Sequence, residues 1–261
     1  MTSKSFGHTA HYTYIDEALR ARWSTFRTLE TEMVEFVPRP TEDFSSHRDT
    51  EIERMRVLNP NAPVEDLVAY VDQQIQFLAS RDWQFHERFD QRLMTEYITV
   101  IMLSHALSEA LINAVLAIGL ANIESAELFS LFEKADFKQK WLLGPKSFAP
   151  AYRFPHGTGL HETLTMLSRQ RNALVHHKID LEINGKKILE GSGFERKRYD
   201  EEQRWIRRYF SLPYDLAEFV RKSIPGVPLM LLFDRRPIEI APAHVSAQQA
   251  LPADAPELVR R

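Results

Sequence analysis

The sequence predicts a mainly α-helical protein with one small β-hairpin. Apolar residues recur at spacings of three, four and seven over several long segments, which is the period of an amphipathic helix. Those segments are also rich in strong helix formers. The hairpin is predicted by Asn184-Gly185, which stands between two short runs of apolar and polar residues, because Asn-Gly favours the tight turn of a two-residue hairpin loop.

The first half of the chain contains the longest helical patterns. One helix is expected from Ile15 to about Phe36, and Pro38-Arg39-Pro40 follows it, because proline lacks the N–H donor that a continuing helix needs. Residues 41–63 are charged and polar, and Asn59-Pro60-Asn61-Ala62-Pro63 is typical of a turn. A second helix is predicted to begin near Val64.

Two further helical patterns cover residues 85–93 and 94–121, and the sequence leaves open whether they form one helix. The elements expected after them are a shorter helix over 125–148, a helix that Thr158 could cap, the hairpin over 179–190, a helix from Ser211 to about Lys222, and a short strand over 229–233.

Composition limits the classes of function. The chain has 261 residues, 44% of them hydrophobic, which is enough to form one large core or two small ones. The net charge of −3 means that any contact with nucleic acid must come from a local basic patch. The absence of cysteine excludes disulfides, thiolate metal sites and cysteine nucleophiles.

The expected location is the cytoplasm. Residues 1–14 lack the apolar stretch of a secretory signal. The longest apolar run, over residues 98–121, is interrupted by polar residues that a lipid-facing helix would not carry, namely Ser104, His105, Ser108, Glu109 and Asn113. No membrane association is expected. We expect three parts of the chain: a helical extension over 1–90, a helical domain over 91–224 and a Pro/Ala-rich tail over 225–261.

Arg171 occupies an unexpected position. It lies on the apolar stripe of its predicted helix, four residues after Leu167 and three before Leu174. A guanidinium stays protonated, so it is rarely buried without an anionic or hydrogen-bonding partner. Either a carboxylate of this chain pairs with Arg171, or the stripe faces a cleft that admits an anion.

A second helix supplies a candidate partner. His105, Glu109 and Asn113 follow one another at intervals of four residues and therefore lie on one side of an otherwise apolar helix. Polar groups in such surroundings need partners. We expect Glu109 and Arg171 to form a bidentate ion pair.

Residues Arg171 to His176 resemble a known motif. Asn172 follows the arginine directly, and His176 comes four residues after Asn172. This order resembles the motif of HEPN domains, in which four to six residues separate an arginine from a histidine. The segments 106–113 and 132–141 are similar to other helices of that family. The resemblance covers roughly residues 90–180 and implies a HEPN-like antiparallel helical bundle.

The resemblance implies an endoribonuclease that cleaves RNA without a metal ion or cofactor, of the kind used in toxin–antitoxin or phage-defence systems. It implies His176 as acid or base, Arg171 as the group that stabilises the phosphate, and Asn172 as an orienting group, with tRNA or mRNA as substrate. Glu109 and His105 would support the site. His177 also fits the motif, which leaves the acting imidazole open between the two histidines.

The geometry of a helix adds a constraint. At about 100° per residue, Arg171 and His176 point about 140° apart. HEPN domains bring these residues together by pairing two motif helices, so the resemblance implies a homodimer with a shared cleft.

Three alternatives remain open at this stage. Arg171 and Glu109 could form a core ion pair, with His176 placed at the helix end by the helix dipole. The chain could be a non-catalytic HEPN module that binds nucleotides or a partner protein such as a nucleotidyltransferase or antitoxin. The basic and aromatic residues over 186–210 could track and stack RNA, or could form a solvated helix face. A metal site built on His105, His161, His176 and His177 is not expected, because no carboxylate-rich set accompanies them.

Overall fold

The structure is a computed structural model that describes residues 11–175, 181–183, 186–189 and 199–224. The described residues are mainly helical, as the sequence predicts. The helices are α1 (His11–Val34), α2 (Thr41–Ser45), α3 (Arg48–Leu58), α4 (Val64–Ala79), α5 (Arg81–Asn122), α6 (Phe129–Glu133), α7 (Phe137–Leu143), α8 (Gly159–Val175) and α9 (Tyr199–Ser223). Single 3₁₀ turns occupy Ala126–Leu128 and Gly144–Ser147.

Two short strands lie between α8 and α9. Strand β1 (Leu181–Ile183) pairs antiparallel with β2 (Lys186–Leu189). Leu181 lies opposite Leu189 and Ile183 opposite Lys186, with an irregularity in the ladder between Leu181 and Glu182. The Asn184-Gly185 pair, the strand expected over 229–233 and the tail over 225–261 lie outside the described residues.

Several predicted boundaries differ from the structure. The polar segment 41–63 contains α2 and α3, and neither helix buries a residue. The patterns over 85–93 and 94–121 join in the single helix α5. The expected helix over 125–148 is divided into α6, α7 and the two 3₁₀ turns.

Helix α9 is the clearest correction. We expected it to begin at Ser211 because Pro213 suits the first turn of a helix. It begins at Tyr199 instead, and Pro213 lies inside it. The helix continues through the proline because one apolar face is buried along its length, from Trp205 and Tyr209 to Leu216 and Val220.

The described residues form two compact units. One contains residues 11–25 and the described residues from Thr95 onward, and the other contains residues 26–94. This grouping differs from the division at residue 90 that we expected. The first half of α1 packs with α9, since the Trp23 ring stacks on Phe210 with 4.2 Å between ring centroids and the Tyr214 hydroxyl donates to Asp16 Oδ1 at 2.6 Å.

The unit over residues 26–94 has an aromatic core. Phe36 meets Phe89 edge to face, with 5.5 Å between ring centroids. The amide of Gln84 joins this core to the loop after α1, since its Oε1 accepts from the Arg39 N–H at 2.6 Å. The guanidinium of Arg48 on α3 forms a bidentate pair with Asp72 on α4.

Helix α5 is long and apolar enough to cross a membrane, judged by length and composition alone. Half of its most apolar window is buried within the protein. Core helices of soluble proteins meet the same criterion. The polar residues Ser104, His105 and Ser108 of α5 are buried against other parts of the protein.

Replacing Trp23 tests the packing of α1 on α9. Trp23→Ala should lower the free energy of unfolding by about 3–5 kcal/mol, because it removes a large side chain that is only 6% exposed. Urea denaturation measures the loss. The control is Tyr14→Ala on the same helix, where the side chain is 71% exposed and the change should stay within about 0.5 kcal/mol. Equal effects of the two replacements would contradict this packing.

Candidate functional site

The centre of the candidate site is an ion pair between α5 and α7. Lys140 Nζ lies 2.8 Å from Glu109 Oε1. The Lys140 side chain is 2% exposed and that of Glu109 is 34% exposed. An ammonium group removed from water needs an anionic partner, and Glu109 supplies it.

Helix α7 places this lysine. The Asp136 carboxylate caps the helix by accepting from the backbone N–H groups of Lys138 at 2.9 Å and Gln139 at 3.3 Å. Phe137 and Trp141 are buried on the same side as Lys140. The Tyr152 hydroxyl donates to the Trp141 carbonyl at 2.8 Å, which joins the end of α7 to the following loop.

The predicted ion pair between Glu109 and Arg171 is wrong, because Glu109 pairs with Lys140. Arg171 is half-buried near the end of α8, and its Nη1 donates to Asn172 Oδ1 at 3.1 Å. The stripe that carries Arg171 is buried at Leu164 and Leu167, and the helix becomes exposed at Val175. The end of α8 therefore leaves the guanidinium partly open to solvent.

His105 lies beside the ion pair as a neutral imidazole. Its Nδ1 is 3.8 Å from Glu109 Oε2, and its ring packs on Phe137 with 4.1 Å between ring centroids. Burial is the main cause that lowers the pKa of His105 to about 4. Glu109 opposes this shift, and the positive charges of Arg171 and Lys140 add to it. His105 is therefore unprotonated at neutral pH and cannot serve as a general acid there.

Four of the predicted site residues, which lie on α5 and α8, interact with one another. His105 contacts Glu109, Arg171 is close enough for its charge to act on His105, and Asn172 holds Arg171. Asn113 lies one turn further along α5, where its buried Oδ1 has no hydrogen-bond partner among the described residues. His176 and His177 lie outside the described residues, so their roles stay predictions.

Lys140 is the site residue that sequence reasoning missed. The signal was present in the sequence, because Lys140 stands between Phe137 and Trp141 on the apolar side of a short helix. The argument that identified Arg171 as a charge on an apolar stripe applies equally to Lys140.

Three aromatic residues of α9 that the sequence offered for stacking on RNA are not available for it. Trp205, Tyr209 and Phe210 are buried in the core. Arg208 is held by the carbonyl of Gly159, the hydroxyl of Thr163 and the carboxylate of Glu162. Side chains over residues 181–198 lie outside the described part of the structure.

A shallow pocket of about 280 Å³ lies between the start of α8 and α9. Its lining includes Gly159, Thr163, Arg208 and Asp215. The arginine in it is already neutralised by Glu162, so the pocket does not attract an anion strongly. Within the described ranges no group of three or more His, Asp or Glu side chains could hold a metal ion.

No protein-family model, no curated protein and no solved structure matches the chain. The resemblance to HEPN domains rests on the residues of the Arg171–His176 segment and on the two helical segments before it.

Replacements of the ion pair should have unequal effects. Glu109→Gln should lower the free energy of unfolding by about 3–5 kcal/mol, because it leaves the buried Lys140 ammonium without an anion. Lys140→Met should lower the free energy of unfolding by a smaller amount, because the Glu109 carboxylate is one-third exposed and water can solvate it. The double variant should recover part of the loss. Urea denaturation measures all three, and strictly additive losses would show that the two charges do not interact.

The lowered pKa of His105 predicts a pH dependence of stability. An unfolded histidine titrates near 6.5 and the folded one near 4, so the unfolded chain binds more protons between these values. The contribution is complete above about pH 6.5 and is lost as the pH falls towards 4. His105→Leu should flatten the dependence of unfolding free energy on pH in this window. An imidazole NMR signal of His105 that titrates near pH 6.5 would contradict the assignment.

Proposed function

We propose that this chain is a HEPN-type endoribonuclease that cleaves RNA without a metal ion, in a toxin or phage-defence context, within a HEPN-like antiparallel helical bundle. Arg171 stabilises the charge on the scissile phosphate, His176 transfers protons, and Asn172 orients the guanidinium. His105, Glu109 and Lys140 support the site from α5 and α7.

The observation that carries the proposal is the environment of Arg171. Its hydrogen bond among the described residues goes to the neutral amide of Asn172, while the nearby carboxylate of Glu109 is engaged by Lys140. A half-buried guanidinium that is oriented by an amide keeps its positive charge and most of its donors for an anionic ligand. A phosphate oxygen fits this requirement.

The reaction follows from these groups. The 2′-hydroxyl oxygen of the substrate attacks the adjacent phosphorus while an imidazole accepts its proton. The bond from phosphorus to the 5′-oxygen breaks, and that oxygen takes a proton from a second imidazole. The products are a 2′,3′-cyclic phosphate and a 5′-hydroxyl. Arg171 stabilises the negative charge that develops on the non-bridging oxygens.

The two imidazoles come from a homodimer in this proposal. Arg171 and His176 diverge on one ideal helix, so residues of a partner protomer complete the cleft.

A second function is favoured by a different observation. The buried pair of Lys140 and Glu109 is satisfied internally, and it accounts for the carboxylate on the apolar helix α5 without catalysis. The chain would then be a non-catalytic HEPN module that binds a nucleotide or a protein partner such as an antitoxin or a nucleotidyltransferase.

Cleavage of RNA in EDTA distinguishes the two functions. Wild-type protein should cut tRNA or total RNA and leave 2′,3′-cyclic phosphate ends. Arg171→Ala and His176→Ala should each lower the rate about a hundredfold or more, because each removes a group that acts in the transition state. Gel analysis of product ends and rates measures this effect.

Arg169→Ala is the matched control, because Arg169 is an exposed arginine on the same helix. His177→Ala decides which imidazole acts. If Arg171→Ala and Arg169→Ala cut RNA equally well, the site assignment is wrong. A strictly monomeric protein that cuts RNA would exclude the shared cleft.

A further inference from the structure

Helices α3 and α4 bury few of their own side chains. No residue of α3 is buried, and α4 buries only Leu67 and Val71. The two helices are joined by the bidentate pair of Arg48 and Asp72. Helices of this length are marginal in water by themselves and derive most of their stability from packing. Much of the surface that these two helices could pack is therefore left open to solvent.

The open surface of α4 includes two aligned aromatic side chains. Tyr70 and Phe77 are seven residues apart and both are half-exposed. They lie about 10 Å apart along one side of α4, about 100° around the helix from Leu67 and Val71. The Phe77 ring also contacts the Trp83 ring at the start of α5, with 4.7 Å between ring centroids. Single exposed apolar residues are common, but aromatic rings aligned on one side of a helix are typical anchors for a partner helix.

Apolar side chains at the end of α3 extend this side of the protein. Val57 and Leu58 are both exposed. Only residues 59–63 separate the end of α3 from the start of α4, and the start of α3 pairs with the second half of α4 through Arg48 and Asp72. The two helices therefore run antiparallel, and the last turn of α3 lies near the first turn of α4. We define the α3–α4 surface by Val57, Leu58, Asp66, Tyr70 and Phe77.

This surface is acidic. Residues 41–79 contain eight carboxylates, three arginines and no lysine. Each arginine pairs with a carboxylate of α3 or α4, namely Arg48 with Asp72, Arg54 with Glu51 and Arg56 with Glu53. Glu65 and Asp66 in the first turn of α4 have no ion-pair partner within the described part of the chain.

The charge of the α3–α4 surface limits what can cover it. Carboxylates repel the phosphates of a nucleic acid. A second copy of the same surface would bring Glu65 and Asp66 again, and every arginine of α3 and α4 is already paired. A partner with its own cations would pair with these carboxylates and cover the aromatic rings at the same time.

We propose that the α3–α4 surface binds a basic amphipathic helix of a partner protein. Apolar side chains spaced seven residues apart on that helix pack on Tyr70 and Phe77. The helix runs antiparallel to α4 and carries Lys or Arg in its last turns, because this orientation brings those turns to Glu65 and Asp66. Cations are also favoured at the C-terminus of the partner helix by its own dipole. No residue proposed for RNA cleavage takes part, so the inference is independent of that function.

Binding of two synthetic helical peptides to the full-length protein tests this inference. Both peptides carry the same leucine stripe, and their last two turns carry lysines in one and glutamates in the other. The lysine peptide should bind about tenfold more tightly at low salt, and the difference should shrink at high salt because ions screen exposed charges. Fluorescence anisotropy of labelled peptides measures the affinities. Equal affinities, or no binding of the lysine peptide, would overturn the proposal.

Variants of the protein locate the binding surface. Tyr70→Ala and Phe77→Ala should each weaken binding of the lysine peptide about tenfold, and Asp66→Asn should weaken it about threefold. The matched controls are Tyr14→Ala and Glu127→Gln, at exposed side chains of the other unit, and they should leave the affinity unchanged. Circular dichroism confirms that each variant is folded.

Two outcomes would assign the surface differently. If Tyr70→Ala and Tyr14→Ala bind the lysine peptide equally well, the peptide does not bind at the α3–α4 surface and the proposal is wrong. If sedimentation shows a dimer of the wild-type protein that Tyr70→Ala dissociates, a second copy of the chain covers the surface and the basic partner is wrong.

Discussion

The ion pair of Lys140 and Glu109 fixes where α7 meets α5. Separating the two groups would leave an ammonium without an anion in the protein interior. The loss of folding free energy would be far larger than for breaking an ion pair at the surface. The same short helix presents Phe137 to His105, and its last turn accepts the Tyr152 hydroxyl. The position of α7 therefore determines both the protonation state of His105 and the course of the chain towards α8.

The same ion pair also determines which hydrogen-bond partner is left for Arg171. Glu109 faces this region from α5, and Lys140 engages its carboxylate. Arg171 is left with the amide of Asn172 as its hydrogen-bond partner among the described residues. An amide orients a guanidinium without neutralising it. His105 stays uncharged beside this ion pair, so it does not neutralise an anion, and Arg171 keeps its charge for one.

Helix α8 contains a contrast between two kinds of cationic residue. Arg208 of α9 packs on the start of α8 and is neutralised there by Glu162, so it contributes to packing. At the other end, Arg171 pairs with no carboxylate within the described part of the chain, and its hydrogen bond goes to the Asn172 amide. The proposed function depends on this difference between a paired charge and an unpaired one, because only an unpaired charge gains from binding an anion.

The sequence by itself determined that α1, α4, α5 and α8 are helices, because apolar spacing is a local property of the chain. It also showed that a charge stands among the apolar residues at Arg171. Only the tertiary structure decided that Glu109 pairs with Lys140, since either cation could have been its partner until α7 was placed. It likewise decided that α9 continues through Pro213, because burial of Trp205 and Tyr209 outweighs the local cost of a proline. Partners and burial depend on residues distant in the chain, and spacing does not encode them.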